Sequence, residues 1–264
     1  MPPLTPALRQ EYEDLFRSCQ IRSERASEIE STVNQILSGQ SRYQTVAAAT
    51  RVPWYFIGAI HSMECSCSFR EHLHNGDPLT DRTVNVPIGR PKVWNPPSDW
   101  ESSAKDSLNY EGYTGQSDWS LAAILYRFEA YNGWGYRGKG VNSPYLWSFS
   151  QLYTQGKYVA DGIWSDTAVS QQCGAAVLLR RMVERSLVSF PSPLDPEHNI
   201  GPYVARYSTT TPTDPAVLSQ AIALQHWLNT FPGVFLREDG ICGDRTSETY
   251  RQVTGSYLPG DPRA

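Results

Sequence analysis

The sequence predicts a mainly α-helical protein with one small β-hairpin, followed by a separate and smaller helical domain. Apolar side chains recur at helical spacing through most of the chain, which is the first observation behind this prediction. A stretch rich in Gly, Pro, Asn and Asp interrupts that spacing over 65–98, and a Pro-rich stretch typical of a linker covers 191–213. We therefore predict a main domain over 1–190, a linker over 191–213 and a C-terminal domain over 214–264.

Composition and charge narrow the range of functions. The 264 residues include 40% hydrophobic and 19% charged residues, as is usual in globular proteins. The net charge of -4 opposes binding to nucleic acid, because phosphate contacts need clustered Lys and Arg. No apolar run approaches the ~20 residues that span a bilayer, and the N-terminus lacks the basic start and apolar stretch of a signal peptide. We expect neither a nucleic-acid partner nor membrane insertion, and the localisation stays open.

The N-terminal helices are predicted from apolar periodicity. Residues 6–38 carry apolar side chains at helical spacing, and 43–50 continue the pattern. Pro53 suits the first turn of the next helix, where its missing N–H does no harm. This helix is largely apolar and reaches Glu64.

The interrupted region after this helix is where we predict the hairpin. Thr83, Val84 and Val86 favour a short strand, and the turn residues Asn75-Gly76-Asp77 stand before them. Helical spacing then returns in four further segments, at about 99–110, 117–131, 145–153 and 164–186.

Glu64 is the first candidate for a catalytic residue. It is the only carboxylate in an apolar helix that also carries Trp54, Ile60 and Met63. Burial among apolar side chains disfavours the charged form and raises a carboxyl pKa. Cleavage of a glycoside needs an acid that still holds its proton near neutral pH, so this setting suits a general acid.

The segment VPWYFIGAIHSMECSCSF contains this helix and the residues that follow it. It resembles the catalytic helix of the lysozyme superfamily, with Glu64, Ser66 and Phe69 at matching positions. Cys65 stands where goose-type lysozymes and lytic transglycosylases usually have Ser. The resemblance implies a lysozyme-like fold for the main domain, with Glu64 as the general acid. It also implies cleavage of the β-1,4 glycan strand of peptidoglycan, by hydrolysis or by transglycosylation.

A second segment, EAYNGWG over 129–135, resembles the Ala-Tyr-Asn-Ala-Gly element of lytic transglycosylases. In that family the Tyr and Asn contact the substrate or the acid. The resemblance therefore implies that Tyr131 and Asn132 orient Glu64 or the sugar. Tyr145 and Trp147 are further candidates for the lining of the cleft, because sugar rings stack on aromatic side chains.

A second carboxylate is expected from the loop after the catalytic helix, where lysozymes commonly place an Asp. Asp77 is the first candidate and Asp81 the next. Asn75-Gly76-Asp77-Pro78 is also an ordinary turn sequence, so a purely structural role for Asp77 stays open.

The C-terminal segment resembles the peptidoglycan-binding domain type 1, which is a small three-helix bundle. The match rests on Leu224-Gln225, Leu228-Asn229, Pro232-Gly233, Leu236, Asp239-Gly240, Gly243 and Thr246. The usual motif ends in an apolar-aromatic helix with a Phe-Gln pair, whereas this chain reads Tyr250-Arg251-Gln252-Val253. The resemblance implies peptidoglycan or a related polysaccharide as the partner and the cell wall as the site of action.

Three alternatives to a peptidoglycan glycosidase stay open. His72 and His74, with Cys65 or Asp77, could ligate zinc in a cell-wall peptidase, although the HExxH spacing is absent. The chain could be a non-catalytic wall-binding protein, or an enzyme of this fold that acts on another polysaccharide. For the glycosidase we expect a monomer that needs neither a metal nor another cofactor.

Overall fold

The computed structural model is mainly helical, as predicted, with ten α-helices and one two-stranded antiparallel sheet among its described residues. The chain divides into two compact units, Met1–Val188 and Ser189–Ala264. None of the described helices is long and apolar enough to cross a membrane. The structure describes residues 2–93, 99–160, 162–190, 205–231 and 233–264.

The larger unit contains eight of these helices and the sheet. Short 3-10 helices lie at Ser23–Arg25 and Arg137–Lys139. The α-helices are α1 (Pro6–Ser18), α2 (Ala26–Ser38), α3 (Gln40–Thr50), α4 (Trp54–Cys65), α5 (Trp100–Tyr110), α6 (Leu121–Asn132), α7 (Pro144–Trp147) and α8 (Ala175–Glu184).

Helix α4 lies at the centre of this unit. Its residues from Phe56 to Met63 are all buried, as expected for a helix that is apolar on every side. It packs against α2, α3 and α8, and the Phe56 ring stacks on Phe128 of α6 at 4.9 Å. Gly58 permits the close approach of α2, because a Cβ there would lie 2.6 Å from the Ile36 side chain.

The sheet is not where the sequence predicts it. Its strands are β1 (Lys157–Ala160) and β2 (Ile163–Ser165), within and next to the segment predicted as a helix over 164–186. Residues 83–86 form a loop instead, which Thr83 closes by pairing with Arg90. The prediction fails because the Asp77 carboxylate binds the backbone amides of Val84 and Asn85, which a strand would use for pairing.

Two predicted helices are shorter in the structure. The helical region over 6–38 breaks after Ser18, where Cys19 adopts extended backbone and Ile21 pairs with Ser150. The helix expected at 145–153 is a single turn, α7, because Ser148 leaves the helical conformation with ψ of 142° and Phe149 follows with a left-handed φ of 74°. Periodicity of apolar residues continues across both breaks, so it does not reveal them.

The smaller unit has its own core around two helices, α9 (Pro215–Leu228) and α10 (Asp244–Thr254). The described residues contain these two helices rather than the predicted three, because the chain between them forms turns around Gln225. The Gln225 side chain accepts a hydrogen bond from the Gly240 amide at 2.7 Å and donates to the Ile241 carbonyl at 3.1 Å. A buried amide that bonds both ways fixes the turn.

Only part of the predicted linker over 191–213 lies within the described residues. Residues 191–204 lie outside the described residues. From Ala205 onward the chain belongs to the smaller unit: Ala205 is buried in its core, and the Ser208 amide donates to the Cys242 carbonyl at 3.1 Å. The end of the segment predicted as a linker is therefore part of a folded unit.

Candidate active site

Glu64 lies in the last turn of α4, where the chain leaves the core. Ser66 and Cys67 follow in left-handed conformations, with φ of 48° and 59°, and both amides donate to the His61 carbonyl. The loop that comes next returns over the helix end, because a Cβ on Gly76 would lie 2.9 Å from the Glu64 carbonyl oxygen. The helix end and this loop therefore form one packed corner that carries the Glu64 side chain.

The Glu64 carboxyl is partly buried and is bonded to a tyrosine. The Tyr145 hydroxyl donates a hydrogen bond to Glu64 Oε1 at 2.7 Å. Burial raises the pKa of Glu64, the bond from Tyr145 lowers it, and the negative charge of Glu111 raises it; the net pKa lies above the ordinary 4.5. Glu64 therefore keeps its proton to a higher pH than an exposed glutamate does.

The structure brings Tyr145 and Tyr131 to this corner from two different helices. Tyr145 comes from α7, and burial followed by the charge of Glu64 raises its pKa far enough to keep the phenol protonated. Tyr131 comes from α6 and donates to the Leu73 carbonyl at 2.8 Å. Tyr145 thus contacts the acid itself, whereas Tyr131 fixes the loop beside it.

Asn132 and Trp147 are placed differently from Tyr145. Asn132 is exposed at the end of α6, and its amide donates to the Ser143 hydroxyl at 3.5 Å. Trp147 is only 2% exposed. Its ring is part of the core and offers little surface for a sugar to stack on, and the place of Trp147 in the lining of a cleft stays a prediction.

Asp77 organises its own loop. Its Oδ2 accepts hydrogen bonds from the Val84 amide at 2.7 Å, the Asn85 amide at 2.9 Å and the Asn75 side chain at 3.0 Å. Its Oδ1 accepts from the Asn85 side chain at 2.6 Å. Burial raises the pKa of Asp77, but these bonds lower it by more, and the net pKa lies below the ordinary 3.8.

Both Asp77 oxygens are therefore committed within the loop. A carboxylate in this state is a poor base and a poor nucleophile, because any substrate contact must displace strong hydrogen bonds. These contacts favour a structural role for Asp77, and its role as the catalytic partner of Glu64 stays a prediction. Asp81, the next candidate, is exposed and accepts from the neighbouring Arg82 amide at 2.7 Å.

Sequence reasoning missed Glu111. It lies at the C-terminal end of α5 and is exposed, and its negative charge acts on Glu64. The one local signal was an acid between two aromatic residues, Tyr110 and Tyr113, after a helix. Such a pattern is common on protein surfaces, so it could not single out Glu111 without the folded arrangement.

The histidines near α4 are each bound to protein groups, and the rings of His72 and His74 lie 5.8 Å apart. His61 lies between the Tyr43 hydroxyl at 2.9 Å and the Ser68 carbonyl at 3.0 Å, and burial lowers its pKa to about 4. His72 contacts Ser103 and the Asp81 carbonyl. Within the described part of the chain, no group of three or more His, Cys, Asp or Glu residues could hold a metal ion.

The comparisons with known proteins found no relative of this chain. The chain matches none of the protein-family models, curated proteins or solved structures with which it was compared. A functional conclusion therefore depends on the chemistry of the site around Glu64.

The raised pKa of Glu64 predicts how stability changes with pH. A carboxyl whose pKa is higher in the folded state binds more protons folded than unfolded, so it destabilises the fold as pH rises through that window. We expect Glu64→Gln to match wild type below pH 4.5 and to gain in free energy of unfolding, relative to wild type, as pH rises above it. Urea unfolding between pH 4 and 8 measures the difference.

The control for this measurement is Glu24→Gln, the same change at an exposed position. Its stability difference from wild type should stay flat over the same pH range. A Glu64→Gln protein that loses stability relative to wild type as pH rises above 4.5 would mean that the fold favours the charged form of Glu64, against this prediction.

The lowered pKa of Asp77 predicts the opposite behaviour. Asp77→Asn removes the charge that holds the Val84 and Asn85 amides, and we expect a loss of about 1–3 kcal/mol at neutral pH. A lowered folded pKa gives stability that is present above pH 3.8 and fades below it, so the difference should shrink there. Asp81→Asn is the matched control, and equal losses in both variants would contradict the role of Asp77.

Proposed function

We propose that the larger unit is a glycoside hydrolase with Glu64 as its general acid. The observation that carries the proposal is a partly buried carboxyl with a raised pKa, held by the Tyr145 phenol at 2.7 Å. An alkoxide is a poor leaving group, so a glycosidic oxygen must be protonated as its bond breaks. A glutamate that keeps its proton to a higher pH than usual is suited to supply that proton.

The contact with Tyr145 also orients the acid. Because the phenol donates to Oε1, the proton of the neutral acid belongs on Oε2, and the carboxyl plane is fixed. Tyr131 supports the arrangement from α6, since its bond to Leu73 holds the loop that packs on the helix end. An acid with one oxygen held and the other carrying the proton is prepared for transfer to a bound glycoside.

Peptidoglycan is the substrate that we propose. The support is the sequence resemblance of the smaller unit to peptidoglycan-binding domains, together with the resemblance of α4 to the catalytic helix of lysozymes. A weak wall-binding unit in the same chain would raise the local concentration of the acid on an insoluble polymer. Of the rivals, the zinc peptidase loses support from the separate engagement of His72 and His74.

The first test is digestion of purified peptidoglycan by wild type and by Glu64→Gln. We expect wild type to release muropeptides and Glu64→Gln to be about 100- to 10 000-fold slower, because the amide cannot donate the proton. Mass spectrometry identifies the products: reducing ends indicate hydrolysis, and anhydro ends indicate transglycosylation.

Glu24→Gln serves as the control for this digestion, because it makes the same change at an exposed position on a 3-10 helix. Equal activity of wild type and Glu64→Gln would remove Glu64 from the mechanism. Binding of wild type to the wall without any release of product would favour a non-catalytic wall-binding protein.

A second test uses the bond from Tyr145. Because this bond lowers the pKa of Glu64, Tyr145→Phe should raise that pKa. The rate depends on protonated Glu64, so the alkaline limb of the kcat/KM profile should move to higher pH in Tyr145→Phe. Measuring initial rates of muropeptide release over a pH series locates the limb.

Tyr113→Phe is the matched control, because its phenol donates to the Arg127 carbonyl at 3.3 Å rather than to Glu64. Its limb should stay closer to that of wild type. An unmoved or lowered limb in Tyr145→Phe would show that Tyr145 does not bond to the acid during catalysis.

A further inference from the structure

A cavity of about 260 Å³ is lined by α1, α6 and the segment that leads from the 3-10 helix Arg137–Lys139 into α7. The polar residues of its wall are Glu11, Tyr12, Glu129, Arg137, Asn142 and Ser143. The cavity is large enough for a small organic molecule, although it is smaller than the pockets that hold drug-sized ligands.

Glu129 is the buried acid of this wall. Its side chain is only 5% exposed, and its Oε2 accepts hydrogen bonds from the Tyr12 phenol at 2.5 Å and from Arg137 at 2.8 Å. Burial, and then the bond to Glu129, raises the pKa of Tyr12, so the phenol remains a donor. Within the described residues, the other oxygen of Glu129, Oε1, forms no hydrogen bond, although a carboxylate shielded from water needs partners on both oxygens.

The charges around the cavity do not balance. Arg137 donates to Glu129 and, through its other terminal nitrogen, to Glu11 at 2.9 Å. One guanidinium is thus shared by two carboxylates, which leaves one negative charge over. Among the described residues that line the cavity, no other side chain is charged. A ligand with a positive charge would restore the balance.

The unpaired polar atoms of the wall also favour a donor. The Asn142 side-chain nitrogen donates to the Leu152 carbonyl at 3.0 Å, and its oxygen remains as an acceptor beside Glu129 Oε1. An ammonium group carries three N–H donors and no acceptor, so it matches such a wall. A divalent metal ion matches it less well, because Arg137 contacts both carboxylates and would repel a second cation of higher charge.

The cavity and Glu64 lie on different sides of the same two helices. On α6, Tyr131 holds the loop beside Glu64, whereas Glu129, two residues earlier, lines the cavity. On α7, Tyr145 bonds to Glu64, whereas Trp147, two residues later, lines the cavity. Residues two positions apart on a helix do not face the same side. The cavity is therefore separate from the site around Glu64.

We infer that this cavity binds the ammonium group of a small organic amine, with the Glu129 carboxylate as its main partner. The ammonium donates to Glu129 Oε1, the Asn142 oxygen is available for a second bond, and the exposed Glu11 supplies the compensating charge at the rim. Amino sugars and alkyl amines both present this group. The inference does not depend on the proposed function, because no step of glycan cleavage uses the cavity.

Calorimetric titration of the full chain at pH 6 with matched pairs of small molecules tests the inference. The amines are D-glucosamine and butylamine, and their counterparts, D-glucose and butanol, carry a hydroxyl in place of the ammonium. We expect one molecule of at least one amine to bind per chain. Its affinity should exceed that of its counterpart by about 10-fold or more, because the hydroxyl cannot form a charged bond to the buried carboxylate. The amine that binds more tightly identifies the skeleton that the cavity prefers.

Substitutions then locate the bound amine. Glu129→Gln removes the charge of the main partner and should lower the affinity for the amine about 10- to 100-fold. Glu11→Gln removes the second charge at an exposed position, where the effect should be about 2- to 5-fold and the cost to the fold small. Glu13→Gln is the matched control, because it removes a carboxylate of the same helix that does not line the cavity. Its affinity should equal that of wild type.

Circular dichroism and thermal unfolding check that Glu129→Gln is folded, because this change weakens the pairing with Arg137. If it does not fold, Glu11→Gln and the pairs of amine and hydroxyl compound decide. Wild type that binds neither amine more tightly than its counterpart would overturn the inference, and so would an amine affinity that both carboxylate variants leave unchanged. Neither result bears on glycan cleavage, which Glu64→Gln tests separately.

Discussion

The burial of α4 is the constraint on which the larger unit depends. Every residue from Phe56 to Met63 is enclosed by neighbouring helices, and Glu64 is the point at which this apolar helix meets polar groups. Because the helix is held by this packing, the carboxyl stays partly shielded from water. Its desolvation is therefore a product of the core packing itself, and the raised pKa follows from the position of the helix end.

The residues around the C-terminal end of α4 have different roles. Tyr145 bonds to the acid, Tyr131 holds the adjacent loop, and Asp77 fixes the next section of that loop through backbone amides. The sequence suggests these three residues as one catalytic group with Glu64. In the structure, Tyr145 contacts the acid, whereas Tyr131 and Asp77 support the loop around it. This division is common in sites that are held in place by a second layer of hydrogen bonds.

Helix content, the burial of α4 and the candidate acid at its end could be predicted from the sequence, because apolar periodicity and an isolated Glu are local signals. The loop over 83–86, where the sequence favours a strand, could not, since the binding of its amides by Asp77 is a contact between residues seven and eight positions apart. Glu111 could not be assigned either. Its relation to Glu64 depends on how α5 and α6 pack, and no short motif encodes that packing.

Gly76 has a consequence for how relatives of this protein should be recognised. Two independent features require glycine at this position. The backbone has a φ of +77°, and the loop approaches the Glu64 carbonyl so closely that no room is left for a Cβ. Any other residue would push the loop off the helix end and loosen the corner that carries the acid. A homologous sequence that keeps a glutamate at the end of its apolar helix but lacks this glycine must build the corner differently, so the Glu-Gly pair twelve residues apart is a more selective signature of this site than the glutamate alone.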